Sequence, residues 1–319
     1  MLDFNDTKTA YTLKTDKQLQ KAHWLFKLVE SSFLVKLGSW GSNLALKLRL
    51  PIKGLVKKTV YDQFVGGENI QECEPVIEKL ESEKVNALLD YAVEGKESLE
   101  EFEKTKKEII NTIIYGAKRN GVRFAVFKVT GVARFALLEK RSAKKDWDEQ
   151  DEEEWQEALL RVTDICEAAN KYGFRLMIDA EETWIQDAID EMAYLMMSRF
   201  NKKQLVVLNT LQMYRVDRLD FLHKAFKRSQ EEGFKYGVKL VRGAYMEKER
   251  ARAKAKGYPD PIHPNKDASD KSYDDAVAFC VENLEHIAFV AGSHNEESSA
   301  KLAKLLMDKG LERNHPNVW

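Results

Sequence analysis

The sequence predicts an α/β fold: a (βα)8 TIM-like barrel, incomplete at its C-terminus and preceded by an N-terminal helical segment. Three observations carry the prediction. Short apolar runs alternate with helical stretches of roughly ten to twenty residues, the pattern of parallel strands joined by helical crossovers. Polar or charged residues stand at the C-terminal ends of those runs, where an α/β barrel keeps its chemistry. The rival architecture, an open doubly wound sheet, lacks its usual GxGxxG turn after the first strand.

The elements follow in order. From Asp16 to about Leu50, Trp24, Leu25, Leu28, Val29, Phe33, Leu34 and Leu37 recur at helical spacing. Such a stripe packs on its own domain more often than on a membrane or a partner. Gly38 and Gly41 are expected to break it, and Pro51 marks the next boundary. Residues 1–59 thus form a helical arm and residues 60–319 the barrel. Gln63 to Glu68 is a candidate first strand ending in a glycine turn, and Val85 to Val93 a second. Ser98 is placed to N-cap a helix from Leu99. Phe124 to Val129 is a strand containing Lys128, a cation that is costly there unless paired or facing a polar cavity. Lys140 to Glu154 reads as a solvated, charge-rich loop and helix start. Phe174 to Ile178 delivers Asp179, Glu181 and Glu182. Leu205 to Thr210 delivers Gln212 and Tyr214. Tyr236 to Arg242 runs into Gly243, Ala244 and Tyr245, where the lack of bulk at Gly243 and Ala244 lets a flat ligand approach the backbone. Ser269 or Ser272 starts a helix after a proline-containing loop. His286 to Ala291 delivers Ser293, His294 and Asn295, and Asn317 to Trp319 opens an eighth strand.

Composition narrows the function. The 319 residues are 44% hydrophobic and 32% charged with a net charge of −1, which gives no overall electrostatic case for nucleic acid or an anionic membrane. Cys73, Cys166 and Cys280 are odd in number and far apart, which fits a reducing compartment and no metal or disulfide framework. No apolar run reaches the ~18–20 residues that span a bilayer, and the N-terminus has no signal core, so a cytoplasmic location is expected, with peripheral contact at the inner face of a membrane left open.

In a barrel the strand-end residues Glu68, Asp90, Lys128, Asp179, Gln212, Lys239, Arg242, His294 and Asn295 converge on one face. Their types suit a large, polar, partly anionic ligand: cations for phosphates or developing negative charge, amides for a heteroaromatic ring, and Tyr245 for stacking. Three rivals fit less well. His294 has no second histidine at metal-ligand spacing. Asp179, Glu181 and Glu182 sit too close on one segment to flank a glycosidic bond. Ser293 and His294 are adjacent and cannot form a triad pair.

The segments KLVRGAYMEKERARAKAKGYPDPIHPNKDASDKSYDDA, LMIDAEETW, VLNTLQMY and SHNEES, in that order, together with FVGGEN and LLDYAVEGKES, resemble the flavin-dependent proline dehydrogenase family, closest to its eukaryotic-like branch. The resemblance covers roughly Val60 to Trp319. It implies FAD lying across the strand ends, and oxidation of L-proline to Δ1-pyrroline-5-carboxylate by hydride transfer to flavin N5, with a quinone or other acceptor taking the electrons. It implies that Gln212 bonds the flavin ring and that Lys239 stands where many bacterial members have arginine. Val241, Arg242, Gly243 and Ala244 would line the cofactor, Lys266 and Ser269 its adenosine side, and Ser293, His294 and Asn295 would also contact it. Lys128, Asp179 and Tyr245 match the residues beside the proline ring, and Glu68 a gate that pairs with a C-terminal arginine. The family pattern continues with a YLxRRxxEN helix whose arginine pair binds the substrate carboxylate. That motif is absent from this sequence, so the resemblance implies a chain truncated in strand 8. Hydroxyproline oxidation and a non-catalytic flavin-binding barrel fragment are the alternatives.

Overall fold

The computed structural model describes residues 3–48, 51, 53–312 and 314–319. Arg49 and Leu50, where the sequence predicts the end of the first helical stretch, lie outside them. The chain divides into two compact units, Met1–Ala87 and Leu88–Trp319.

In the first unit the helical stretch is two helices, Asp16–Glu30 and Ser32–Lys47. Thr15 and Gln18 form a capping box at the start of the first. The break falls at Ser31 rather than at Gly38 or Gly41, which lie inside the second helix. Ser31 takes an extended conformation (φ −85°, ψ 104°), and its hydroxyl accepts from the Leu34 N–H at 3.4 Å, so it ends one helix and caps the next. Among the described members of the apolar stripe, Leu25 is buried and Leu28 half-buried. Trp24 is 56% exposed and Phe33 70%. The predicted strand over Gln63–Glu68 is not formed. Helical turns run through Lys57–Tyr61 and Asp62–Phe64, and the Val65 N–H continues their ladder to Tyr61 O at 2.8 Å. The Glu68 N–H then bonds the Glu72 carboxylate at 3.2 Å, and Asn69 caps the Ile70–Ser82 helix. Local partners thus take the Val65 and Glu68 N–H groups that a strand would have offered to a sheet.

The second unit is built on six parallel strands, hydrogen-bonded in chain order: β1 (Ala87–Asp90), β2 (Val122–Lys128), β3 (Arg175–Asp179), β4 (Val207–Gln212), β5 (Tyr236–Val241) and β6 (Ile287–Ala291). These are the second to seventh of the strands the sequence predicts. Neighbours in chain order with helical crossovers are the sheet order of a βα barrel. Residues 317–319 lie along β6, with the Phe289 N–H bonded to Asn317 O at 2.9 Å and the Ala291 N–H to Trp319 O at 2.8 Å, in the place of the predicted next strand.

Register decides what each face of the sheet carries, because successive side chains alternate. One face is apolar at the N-terminal end. Phe124, Val126, Met177 and Leu208 cluster there, joined by Leu205, Val290 and Trp319. Val126 pairs with Met177, and Met177 with Leu208. Two residues further along, the same face becomes polar: Lys128 is in register with Asp179, and Thr210 with Lys239. The opposite face, with Phe127, Leu176, Ile178, Val207, Val238 and Leu240, is fully buried beneath the helices. An apolar floor beneath a polar rim is thus a direct consequence of strand alternation.

Gly237 is the tightest point of this packing. A Cβ there would lie 2.5 Å from Val207 O and 3.0 Å from Leu205 Cδ1 and Leu208 Cγ. Gly237→Ala is expected to destabilise the protein by about 1–3 kcal/mol through forced separation of β4 and β5. Urea unfolding followed by circular dichroism measures this, and an unchanged midpoint would show that the strands can move apart freely.

Candidate active site

The C-terminal ends of the strands enclose a cavity of about 740 Å³, within the ~300–1,000 Å³ usual for small-molecule sites. Its floor is the polar row. Lys239 Nζ forms an ion pair with Asp179 Oδ1, which also accepts from Thr210 Oγ1 at 3.3 Å. Lys128 Nζ pairs with Glu94, on the segment after β1. Burial opposes the charge on Lys128, but the bond to Glu94, the charge of Glu94 and the adjacent Tyr245 oxygen outweigh it and raise the ammonium pKa. Burial and the nearby Asp179 push the Asp90 carboxyl above its ordinary range, against the pull of Lys128 and Lys239. Burial pushes the Tyr245 phenol up to about 12, so it is a neutral hydroxyl beside Lys128 at physiological pH.

One wall of the cavity is the run from Val241 to Tyr245. Gly243 has φ +145°, and a Cβ there would lie within 2.4–2.6 Å of the Tyr214 ring. Only glycine takes this backbone without strain, and the Tyr214 ring supports the loop from the side. Arg242 is a brace rather than a free cation. Its Nε donates to Asp270 at 2.5 Å, Nη1 to Ser293 Oγ at 2.6 Å and Nη2 to Ser298 Oγ at 2.8 Å, while its plane stacks over Tyr273 at 4.5 Å. It joins the end of β5 to the Lys266–Glu282 helix and to the loop after β6. That loop is set by Asn295, whose side chain caps the Glu296–Asp308 helix through the Ser298 N–H at 2.9 Å.

Behind the wall runs a chain of hydrogen bonds. The Lys96 N–H donates to Thr130 O at 3.1 Å. The Thr130 N–H donates to Glu181 Oε1 at 3.0 Å, and Thr130 Oγ1 donates to Glu181 Oε2. Gln212 Nε2 donates to Glu181 O at 2.7 Å, and the Ala244 N–H donates to Gln212 Oε1 at 3.0 Å. The segments after β1, β2, β3 and β5 and the end of β4 are thereby tied together. Desolvation pushes the Glu181 carboxyl up to about 7, against its bonds to Thr130.

A family model described as proline dehydrogenase matches residues 73–319. The chain belongs to the proline dehydrogenase family. A curated relative, the carbapenem antibiotics biosynthesis protein CarD of Pectobacterium carotovorum, is 31% identical over 249 residues, covering 78% of this chain and 65% of the relative. Proline dehydrogenase 1, mitochondrial, of Dictyostelium discoideum is 28% identical over 358 residues, covering 98% of this chain and 63% of the relative. This chain therefore spans just under two thirds of the length of each. Among solved structures, proline utilization A from Bdellovibrio bacteriovorus superposes with a TM-score of 0.72 at 18% identity, covering 98% of this chain and 33% of that one. That likeness extends the fold assignment to the TIM-like barrel of proline utilization A.

Of the residues that the resemblance to proline dehydrogenases singles out, Lys128, Asp179, Gln212, Lys239, Val241, Arg242, Gly243, Ala244, Tyr245, Lys266, Ser293, His294 and Asn295 line the one cavity. Two do not. Ser269 lies in the first turn of its helix, which Asn265 caps instead of Ser269 or Ser272, and its hydroxyl donates back to Asn265 O at 3.3 Å. Glu68 belongs to the first unit, 3.8 Å from Lys57 Nζ. Three contributors escaped the sequence reading. Thr210 was legible in principle, because it lies two residues before Gln212 and shares its face. Glu94 and Thr130 are loop residues whose roles exist only through long-range contacts.

The buried acid Glu181 gives a pH prediction. Its folded pKa lies above that of an exposed glutamate, so its stabilising contribution is complete below the unfolded pKa and is lost as pH rises toward and through about 7. Glu181→Gln, which cannot ionise, is expected to gain thermal midpoint relative to the native chain between pH 5 and pH 8. Scanning calorimetry across that range checks it, and a difference independent of pH would contradict the raised pKa.

Proposed function

We propose that this chain binds FAD across the strand ends and oxidises L-proline to Δ1-pyrroline-5-carboxylate. The observation that carries the reading is the charged floor of Lys128, Asp179, Thr210 and Lys239 beneath a glycine-lined wall, in one cavity large enough for a cofactor. The residues present fit a flavin. Gly243 lets the backbone of the wall pass close against the Tyr214 ring, Gln212 holds its amide in place through two bonds, and Lys266, Ser293, His294 and Asn295 add polar side chains to the same lining. Bound FAD would supply the two-electron acceptor.

The product fixes the chemistry. Its C=N bond joins the ring nitrogen to the ring carbon remote from the carboxylate, so that carbon loses a hydride, and the nitrogen must first give up its extra proton. Asp179, held by Lys239 and Thr210, places a fixed negative charge on the cavity floor, where it favours positive charge developing at the nitrogen. Tyr245, neutral and beside Lys128, packs against the ring. Lys128, itself balanced by Glu94, keeps its charge on the same floor. Asp179→Asn is expected to keep bound flavin and to slow its reduction by proline by about 100-fold, the scale of a lost positioning contact.

The test is a visible spectrum of the chain loaded with FAD, before and after anaerobic addition of L-proline or 4-hydroxy-L-proline. The reading expects a protein-bound flavin spectrum that bleaches with proline. Absence of bound flavin would overturn the cofactor assignment. Bleaching by hydroxyproline alone would reassign the substrate, and flavin that no substrate reduces would leave the non-catalytic alternative.

We also infer peripheral contact between the Ser32–Lys47 helix and an anionic membrane surface. Phe33 and Trp40 recur seven residues apart on this helix at 70% and 65% exposure, and Leu48 just past its end is 62% exposed. The helix contains no acid, and the sequence between residues 14 and 58 holds ten Lys and Arg against two Asp and Glu, so a local excess of cations is hidden within the near-neutral total. Aromatic and cationic side chains on one amphipathic helix suit the interface of an anionic bilayer. No helix among the described residues is long and apolar enough to cross a membrane. Sedimentation with phosphatidylcholine vesicles, with and without phosphatidylglycerol, tests the contact. Binding should require the anionic lipid and fall at least ~10-fold when Phe33 and Trp40 are both replaced by serine. Equal sedimentation with both vesicle types would contradict it.

A further inference from the structure

Glu181 is not a cavity-lining residue and is 2% exposed, yet four hydrogen bonds converge on it. Its carboxylate takes both the N–H and the hydroxyl of Thr130. Its own N–H donates to Gln186 Oε1 at 2.9 Å, and its carbonyl accepts from Gln212. Gln186 continues to Asp190 Oδ1 at 3.0 Å, and Asp190 pairs with the buried Arg218 at 2.6 Å and accepts from Asn209 at 2.8 Å. Glu181 therefore joins a rigid polar network on the helix side of the sheet to the rim of the cavity. The placement is specific. Thr130 lies two residues beyond Lys128, and Glu181 two residues beyond Asp179, and Lys128 and Asp179 are register partners. One carboxylate thus fixes the exit paths of two neighbouring strands just past two side chains that stand side by side in register on the cavity floor. Through Gln212 and Ala244 the same residue reaches the glycine-lined wall.

We propose that Glu181 is a positioning residue for this site, holding Lys128, Asp179 and the Gly243–Ala244 wall in one frame without touching the ligands. The inference rests on the proline-oxidising reading for its kinetic consequence, though not for its structural one. A buried carboxylate that accepts two bonds from one residue is replaced poorly by alanine, which leaves the Thr130 N–H without a partner. Glutamine can retain both bonds, accepting from the Thr130 N–H and donating to its hydroxyl.

Two substitutions and two readouts test this. Glu181→Ala is expected to bind FAD but to lower the rate of flavin reduction by proline ~10–100-fold, with most of the loss in kcat rather than KM, as for displaced catalytic groups. Glu181→Gln should restore the rate to within ~3-fold of the native chain, a rescue that a general stability defect would not show. The second readout is hydrogen exchange at the Thr130 amide, which needs no turnover. Exchange should be slow in the native chain and in Glu181→Gln, and fast in Glu181→Ala. If the native chain fails to reduce flavin with proline, the functional reading fails and the exchange result alone decides the positioning role. Glu181→Ala with native rate or native Thr130 protection overturns the proposal, as does Glu181→Gln with the same loss as alanine.

Discussion

The constraint on which the site depends is the pairing of charges on the floor of a parallel sheet. Lys239 and Asp179 are only 15% and 20% exposed at their side chains, and neither would be tolerated there alone. Asp179 on β3 and Lys239 on β5 must arrive on the same face on either side of Thr210 on β4, so the pair fixes the relative slide of β3 and β5. A one-residue slip of either strand would turn its charge into the apolar layer beneath the helices. The apolar floor of Phe124, Val126, Met177 and Leu208 works in the same direction from below, since that layer closes only in this register.

Around this row the molecule keeps its polar groups in closed sets. Arg242 spends its guanidinium on Asp270, Ser293 and Ser298. Gln212 spends its amide on Glu181 and Ala244. These contacts order the walls before any ligand arrives, so little reorganisation remains for binding or chemistry to supply. Preorganisation of this kind is what a barrel rim requires, because its functional residues come from separate loops that share no secondary structure.

Most of this was legible in the sequence because strand alternation and strand-end chemistry are short-range signals. Lys128 stood out as a charge in an apolar run, and Lys239, Arg242 and Gly243 announced a strand passing into a constrained turn. The failures have physical causes. Gln63–Glu68 looks like a strand by composition, yet Tyr61 O and the Glu72 carboxylate take its Val65 and Glu68 N–H groups locally. Gly38 and Gly41 carry a helix-breaking cost of only ~1 kcal/mol each, which Ser31 outweighs by offering a cap. Glu181 was weighed only as half of an acid pair, because its partner Thr130 lies 51 residues away in sequence and no spacing rule links them. Glu94 escaped for the same reason.

The central claim is that Lys239 and Asp179 are held in the sheet by each other. A double-mutant cycle on unfolding free energy tests it most directly, using Lys239→Met, Asp179→Asn and the two combined. The account predicts that each single substitution costs about 2–3 kcal/mol and that the double costs less than their sum by at least ~1 kcal/mol, because removing both partners leaves no orphaned charge. Costs that add to within ~0.5 kcal/mol would contradict it and would mean that the two charges are satisfied separately.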